Sequence, residues 1–352
     1  MIPTTAKARA TAFCERFGLR LPILLAPMAG ASPARLAAAV ASAGGMGALG
    51  ALNTTPEGIA DWARAVRAQS NGAFQINLWI PDPPPVRDAA REGAMAEFLS
   101  GYGPRPPIPD GPLLPNFAEQ CHAMIEAGPA VISSIMGIFP ADVVEAAKAR
   151  GIAWFATATT VAEAREAVAA GADAVVAQGA EAGGHRGAFD HATAEHQLVG
   201  GLALIPRFAD ALDVPVIATG GIGDARGIAA ALTLGASAVQ IGTGYLRCPE
   251  AAVHPAWSAA IAASEPEGTM TTRVFSGRLG RGIANEVART APPAAAYPIQ
   301  RGLFAPIRAA AEKANNPEAM QMWAGQSARL ATEEPAGALT ERLWREAAAL
   351  LP

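Results

Sequence analysis

The chain of 352 residues is longer than a single hydrophobic core usually fills, yet one barrel with an accessory region can use all of it. Hydrophobic residues make up 51% and charged ones 16%, and 27 Lys and Arg against 31 Asp and Glu leave a formal charge of −4, which gives no electrostatic footprint for nucleic acid. Cys14, Cys121 and Cys248 lie too far apart for a metal-ligand spacing and are odd in number for a disulfide framework, and no apolar run reaches the roughly 18 residues of a membrane span, so a cytoplasmic protein with reduced thiols is expected.

In chain order, eight short apolar runs read as strands: 23–28, 46–51, 73–79, 130–136, 152–158, 173–179, 215–221 and 238–244. Between them, "SPARLAAAVASAGG", "TVAEAREAVAAGA" and "DARGIAAALTLGA" each begin at a Ser, Thr or Asp cap, continue through helix formers and stop at Gly. This alternation implies a parallel sheet, and strands with little polar alternation are buried on both faces. A count of eight favours a closed (β/α)8 TIM barrel over an open doubly wound sheet, with its site at the strand C-termini. The Pro-rich stretch 81–115 is an excursion bordering the barrel mouth, with one short helix at 86–100. After about residue 250 no strand pattern survives and three helical stretches follow. The expected division is a barrel over 1–255 and a mainly helical region over 256–352 covering the mouth, with a last helix that can return to the barrel.

Chemistry concentrates where the strands end. Gly220-Gly221 and Gly242-Thr243-Gly244 follow the seventh and eighth strands, where many barrels hold a phosphate in backbone amides. Asn77, Gln178 and Gln240 close otherwise apolar strands; a carboxamide there either meets a flavin or nucleobase edge or ties a loop. His185 follows Gly183-Gly184 on the sixth loop and can act as base or hydrogen-bond donor. Glu181 either positions His185 or caps the loop. His185, His191 and His196 lack the face-sharing spacing of a metal pair, so no metal is expected. Trp257, Trp323 and Trp344 read as helix packing. A nucleophile elbow, a Walker loop and a Rossmann fingerprint after the first strand are all missing from the sequence.

The segments "PILLAPMAG" (22–30), "FQINLW" (74–79), "AQGAEAGGHRG" (177–187), "PVIATGGI" (215–222), "VQIGTGYLRCPEA" (239–251), "VFSGRLGRGIAN" (274–285) and "MWAGQSA" (322–328) resemble, in order and over nearly the whole chain, the nitronate monooxygenases. The resemblance implies a barrel flavoprotein holding FMN without a covalent bond and oxidising alkyl nitronates, such as propionate 3-nitronate, with dioxygen to a carbonyl compound and nitrite. By the same resemblance Met28 borders the isoalloxazine, Asn77 and Gln178 bind FMN, and Gly183 and Gly184 pass close to it. Gly220, Gly221, Gln240, Ile241, Gly242 and Thr243 take its phosphate and ribityl chain, and His185 is the catalytic residue. The expected partners are a nitronate and dioxygen, with neither nucleic acid nor membrane, in a monomer or homodimer. Three alternatives stay open: an FMN-dependent NADH:quinone or enoyl reductase on the same barrel, a non-redox barrel for a phosphorylated metabolite, and an inactive relative that keeps the pocket.

Overall fold

The computed structural model describes residues 5–352. All eight expected strands are present, each trimmed at one or both ends: Ile23–Leu25 (β1), Gly47–Gly50 (β2), Phe74–Trp79 (β3), Val131–Ile135 (β4), Ala153–Ala158 (β5), Ala174–Gln178 (β6), Val216–Thr219 (β8) and Ala238–Ile241 (β9), with a two-residue strand Gly184–His185 (β7) between the sixth and seventh. The eight pair in parallel in the order β1-β9-β8-β6-β5-β4-β3-β2. A bridge between Leu24 and Met46 closes the ring, with Leu25 N–H donating to Met46 O at 2.9 Å and Met46 N–H to Ile23 O at 3.0 Å. The strands end early because the glycines that follow them turn: Gly220 and Gly221 sit at φ 103° and 71°, which a side chain would strain.

Local chemistry starts the barrel helices as expected at two of the three quoted positions. Thr160 and Glu163 form a reciprocal capping box for Val161–Ala169, and Asp224 accepts from Arg226 and Gly227 N–H to cap Ala225–Thr233. Helix Ala34–Ser42 instead starts after Pro33 with no side-chain cap, because Ser32 Oγ is turned back to Met28 O at 3.0 Å.

Leu24, Met46, Val131, Phe155, Val176 and Ile217 belong to a cluster reaching the N-terminal ends of the strands. Helix Ala6–Phe17 closes that end, with Phe17 edge-on to Phe155 at 4.8 Å between ring centroids. The site is thereby left to the opposite end.

Two parts distant in sequence form the cover there. Met95, Ala96 and Leu99 of helix Ala89–Leu99, within the Pro-rich excursion, share an apolar core with Val274, Phe275 and Leu303. Strands do occur after residue 250: Thr269–Thr272 (β10) and Gly280–Ile283 (β11) pair antiparallel, and β11 pairs in turn with β7, Gly280 facing His185. Gly280-Arg281-Gly282-Ile283 carries little side-chain pattern, so this pairing was invisible to periodicity. The last helix, Ala336–Leu350, lies against Ala225–Thr233 and Ala34–Ser42 and buries Leu339, Leu343 and Ala347 in the barrel core. Among the described residues no helix is long and apolar enough to cross a membrane.

Candidate active site

One cavity opens at the C-terminal ends of the barrel strands, and all but one of the expected site residues line it. Met28 comes from the loop after β1, Asn77 and Gln178 from the ends of β3 and β6, Gln240 from β9, and Gly183, Gly184 and His185 from the loop after β6. Gly220, Gly221, Gly242 and Thr243 close the wall after β8 and β9. The exception is Ile241, whose side chain is 1% exposed and belongs to the packing between barrel and helices. Alternation along β9 gives the cavity to Gln240 and the core to Ile241.

The carboxamides divide their work. Gln178 donates from Nε2 to His185 O at 2.9 Å and accepts Gly187 N–H on Oε1 at 2.7 Å, so it ties the loop that carries the histidine while bordering the cavity. Asn77 Nδ2 donates to Ser133 O and Oγ, both at 3.1 Å, and Gln240 Oε1 accepts from Gln75 Nε2 at 3.1 Å. Glu181 is a cap rather than a partner of His185: its two oxygens accept Gly201 N–H at 2.9 and 3.0 Å at the start of helix Gly201–Ala211. Arg186 is buried beneath the same loop and donates to Gln178 O and Gln197 O.

His185 is largely enclosed. Trp79 and Trp323 stand edge-on to its ring at centroid distances of 4.6 and 4.7 Å. Burial first, and then the cationic Arg278 and Arg301, hold its pKa down to about 3, so at neutral pH the imidazole carries no charge. Nε2 lies 2.7 Å from Ser276 Oγ, while Nδ1 has no partner among the described residues and opens on the cavity. Ser276 Oγ also accepts Arg278 N–H at 3.2 Å and stands 3.3 Å from Arg278 O. Its single proton therefore decides the tautomer. Given to the carbonyl, it leaves Nε2–H donating to Oγ and a lone pair on Nδ1; given to Nε2, it leaves Nδ1–H as a donor.

Three of these neighbours were missed or misread in the sequence. Trp323, expected in helix packing, is a wall of the site, and Trp257 lines the cavity too, donating from Nε1 to Trp323 O at 3.1 Å. Ser276 gave no signal beyond its place in the "VFSGRLGRG" segment. His191 and His196, by contrast, are exposed, and Glu195 pairs with Arg273. Cys14, Cys121 and Cys248 are buried with thiols pushed up to about 12, chiefly by burial, which removes them as nucleophiles.

The phosphate-like corner is made of backbone. Among the described residues, the amides of Gly220, Gly221, Gly242 and Thr243 have no acceptor in the protein. Thr243 Oγ1 accepts Gly325 N–H at 3.0 Å, which leaves its own proton free for the cavity. Four unspent N–H groups and a hydroxyl at the ends of two adjacent strands suit an anionic oxygen cluster.

Known proteins resemble this chain over most of its length. The family model described as nitronate monooxygenase matches residues 11–346. A nitronate monooxygenase of Pseudomonas aeruginosa is 39% identical over 346 residues, 95% of this chain and 98% of that protein. A solved nitroalkane oxidase from Streptomyces ansochromogenes superposes with a TM-score of 0.87 at 35% identity, covering 96% of this chain and 98% of the other. FabK from Thermotoga maritima, with a TM-score of 0.73 and 26% identity over 96% of each chain, is a more distant likeness. With a family model matched over residues 11–346 and a relative 39% identical over 95% of its length, the chain belongs to the nitronate monooxygenase family.

Proposed function

We propose that the protein is a flavin-dependent oxidoreductase that oxidises alkyl nitronates with dioxygen to a carbonyl compound and nitrite, with FMN as the flavin. The observation that carries this reading is the neutral His185, presenting Nδ1 to the same cavity that the four unspent amides line. Family members are flavin-dependent, and the donor set here fits FMN in particular: amides of Gly220, Gly221, Gly242 and Thr243 for its phosphate, Asn77 and Gln240 for polar edges, and Met28 against the ring. When bound, the flavin supplies the oxidation of the nitronate and the reduction of dioxygen.

The chain's own residues then have three tasks. Trp79 and Trp323 exclude water from the ring of His185 and narrow the space beside it. Through Nδ1–H, His185 orients a nitronate oxygen; through an Nδ1 lone pair, it accepts the α-proton of a nitroalkane. Gln178 holds the backbone of His185 so that neither role depends on a mobile loop. On this reading residues 1–255 form the flavin barrel and 256–352 its cover, apart from the returning helix Ala336–Leu350.

The test is an absorption spectrum of purified protein followed by oxygen consumption with propionate 3-nitronate and, separately, with NADH. A yellow protein that consumes oxygen with the nitronate, ignores NADH and releases FMN on denaturation is expected. Bleaching of the flavin by NADH alone would move the assignment to a reductase.

A further inference from the structure

The inward face of β3 carries Gln75, Asn77 and Trp79, of which Asn77 and Trp79 line the cavity. Gln75 lies one step deeper and is fully buried, and the register sets it beside Val131, a member of the apolar cluster that fills the far end of the barrel. A carboxamide costs stability in such a place unless every polar atom is paired. Among the described residues Gln75 Oε1 has no hydrogen-bond partner, so the position keeps a polar group that a Leu or Met would replace without that penalty.

The donor half of Gln75, by contrast, is fully used. Nε2 gives one proton to Leu25 O at 3.3 Å and the other to Gln240 Oε1 at 3.1 Å. Leu25 O is main chain in β1 and cannot turn. Rotating the Gln75 carboxamide by half a turn would set its oxygen against that carbonyl, acceptor to acceptor, with no proton between them. With Gln75 fixed, rotating Gln240 would set its Nε2 against that of Gln75, donor to donor. Each alternative strands polar groups in a buried setting. Gln240 therefore keeps Oε1 turned down to Gln75. Its Nε2 protons, which no protein group accepts among the described residues, are left for the cavity that it lines.

We propose that Gln75 is a positioning residue for the flavin: from beneath the site it holds Gln240 so that the cavity receives a hydrogen-bond donor rather than an acceptor, a role that rests on the reading of the cavity as an FMN site. The N1 and carbonyl edge of a flavin gains negative charge when the ring is reduced. A fixed donor facing that edge, away from water, favours the reduced form over the oxidised one. Gln75 thus raises the reduction potential of the flavin without touching it, and the carbonyl of Leu25 decides the sign of the effect through two carboxamides in series.

The experiment measures the FMN dissociation constant by fluorescence and the midpoint potential of the bound flavin by reductive titration against a reference dye. Wild type, Gln75→Met, Gln240→Met and the double variant are compared. Gln75→Met weakens oxidised FMN by up to about tenfold and reduced FMN by roughly a further tenfold, which lowers the two-electron potential by about 30 mV. Gln240→Met gives a shift of the same sign and size, and the double variant shifts no further than either single one, because all three remove the same donor. A general loosening of the barrel would instead lower thermal stability and leave the potential in place. That result, an upward shift, or a double variant whose shift is the sum of the two would overturn the role of Gln75. Should Gln75→Met fail to fold, Gln240→Met alone decides, since an unchanged or raised potential there overturns the donor and with it the residue that aims it. A wild type that takes up no FMN overturns the functional reading, and the positioning role falls with it.

Discussion

His185 is the residue on which the chemistry turns, and its surroundings set what it can do. A histidine held near pKa 3 is a poor acceptor for a carbon-bound proton at neutral pH, because the best base has a pKa close to the working pH. Neutral nitroalkanes should therefore be turned over far more slowly than nitronates, and His185→Asn should keep its flavin while lowering the residual nitroalkane turnover by no more than about a hundredfold, the low end of what a positioned base contributes. Full activity of that variant would end the role. The protein itself should impose no ionisation on kcat/KM for nitronates between about pH 6 and 9, since His185 titrates below that window and Tyr297 near the site is pushed up to about 12. Stability follows the opposite edge of the same shift. Below about pH 6.5 the unfolded chain protonates this histidine and the folded one does not, so stability is whole above that pH and falls progressively toward pH 3. His185→Asn should flatten this segment of a pH-denaturation curve. Ser276→Ala strands Nε2 in a buried setting, and should lower kcat/KM by about tenfold without loss of flavin. The histidine itself was legible from two glycines and a loop position; its tryptophan walls and serine partner come from residues about 90 to 140 positions away, and no local spacing announces them.

At the level of elements, the Pro-rich excursion matters because it reaches the site through one ion pair. Asp82 holds Arg278, which is 2% exposed and follows Ser276 by two residues, with Nε at 2.7 Å from Oδ2. Removing one partner of a buried pair leaves a desolvated charge behind. Asp82→Ala should cost about 3 kcal/mol in denaturant unfolding, and Arg278→Met in the same chain should recover part of it; an additive double mutant would show that the two are not coupled. The excursion, its helix and the strand register were readable to different degrees. Apolar runs and Gly stops gave all eight barrel strands, because a parallel strand buried on both faces is written in its own residues. The β7-β10-β11 sheet was not readable, since a two-residue strand has no period and Gly-rich β11 has little side-chain pattern to offer.

For the molecule as a whole, the decisive feature is that the chain leaves the barrel after β9 and comes back. Helix Ala336–Leu350 fills the place beside Ala225–Thr233 and Ala34–Ser42, fastened by Tyr245 to Thr340 at 2.7 Å and by Glu250 on Ala336 N–H. Leu343→Ala should therefore behave as a barrel-core mutation, costing about 3 kcal/mol and weakening flavin retention, rather than as a change in a peripheral tail. An effect below 1 kcal/mol would show that the helix is an ornament. By itself the sequence determined the eight strands, the glycine turns, the histidine loop and the family, because periodicity, caps and turn residues act over a few positions and are written locally. Only the tertiary structure decided that Ile241 faces the core, that Glu181 is a cap and that Trp323 walls the site. Those outcomes depend on which distant segments pack together and on where the chain's charges come to rest, and packing is a property of the whole fold.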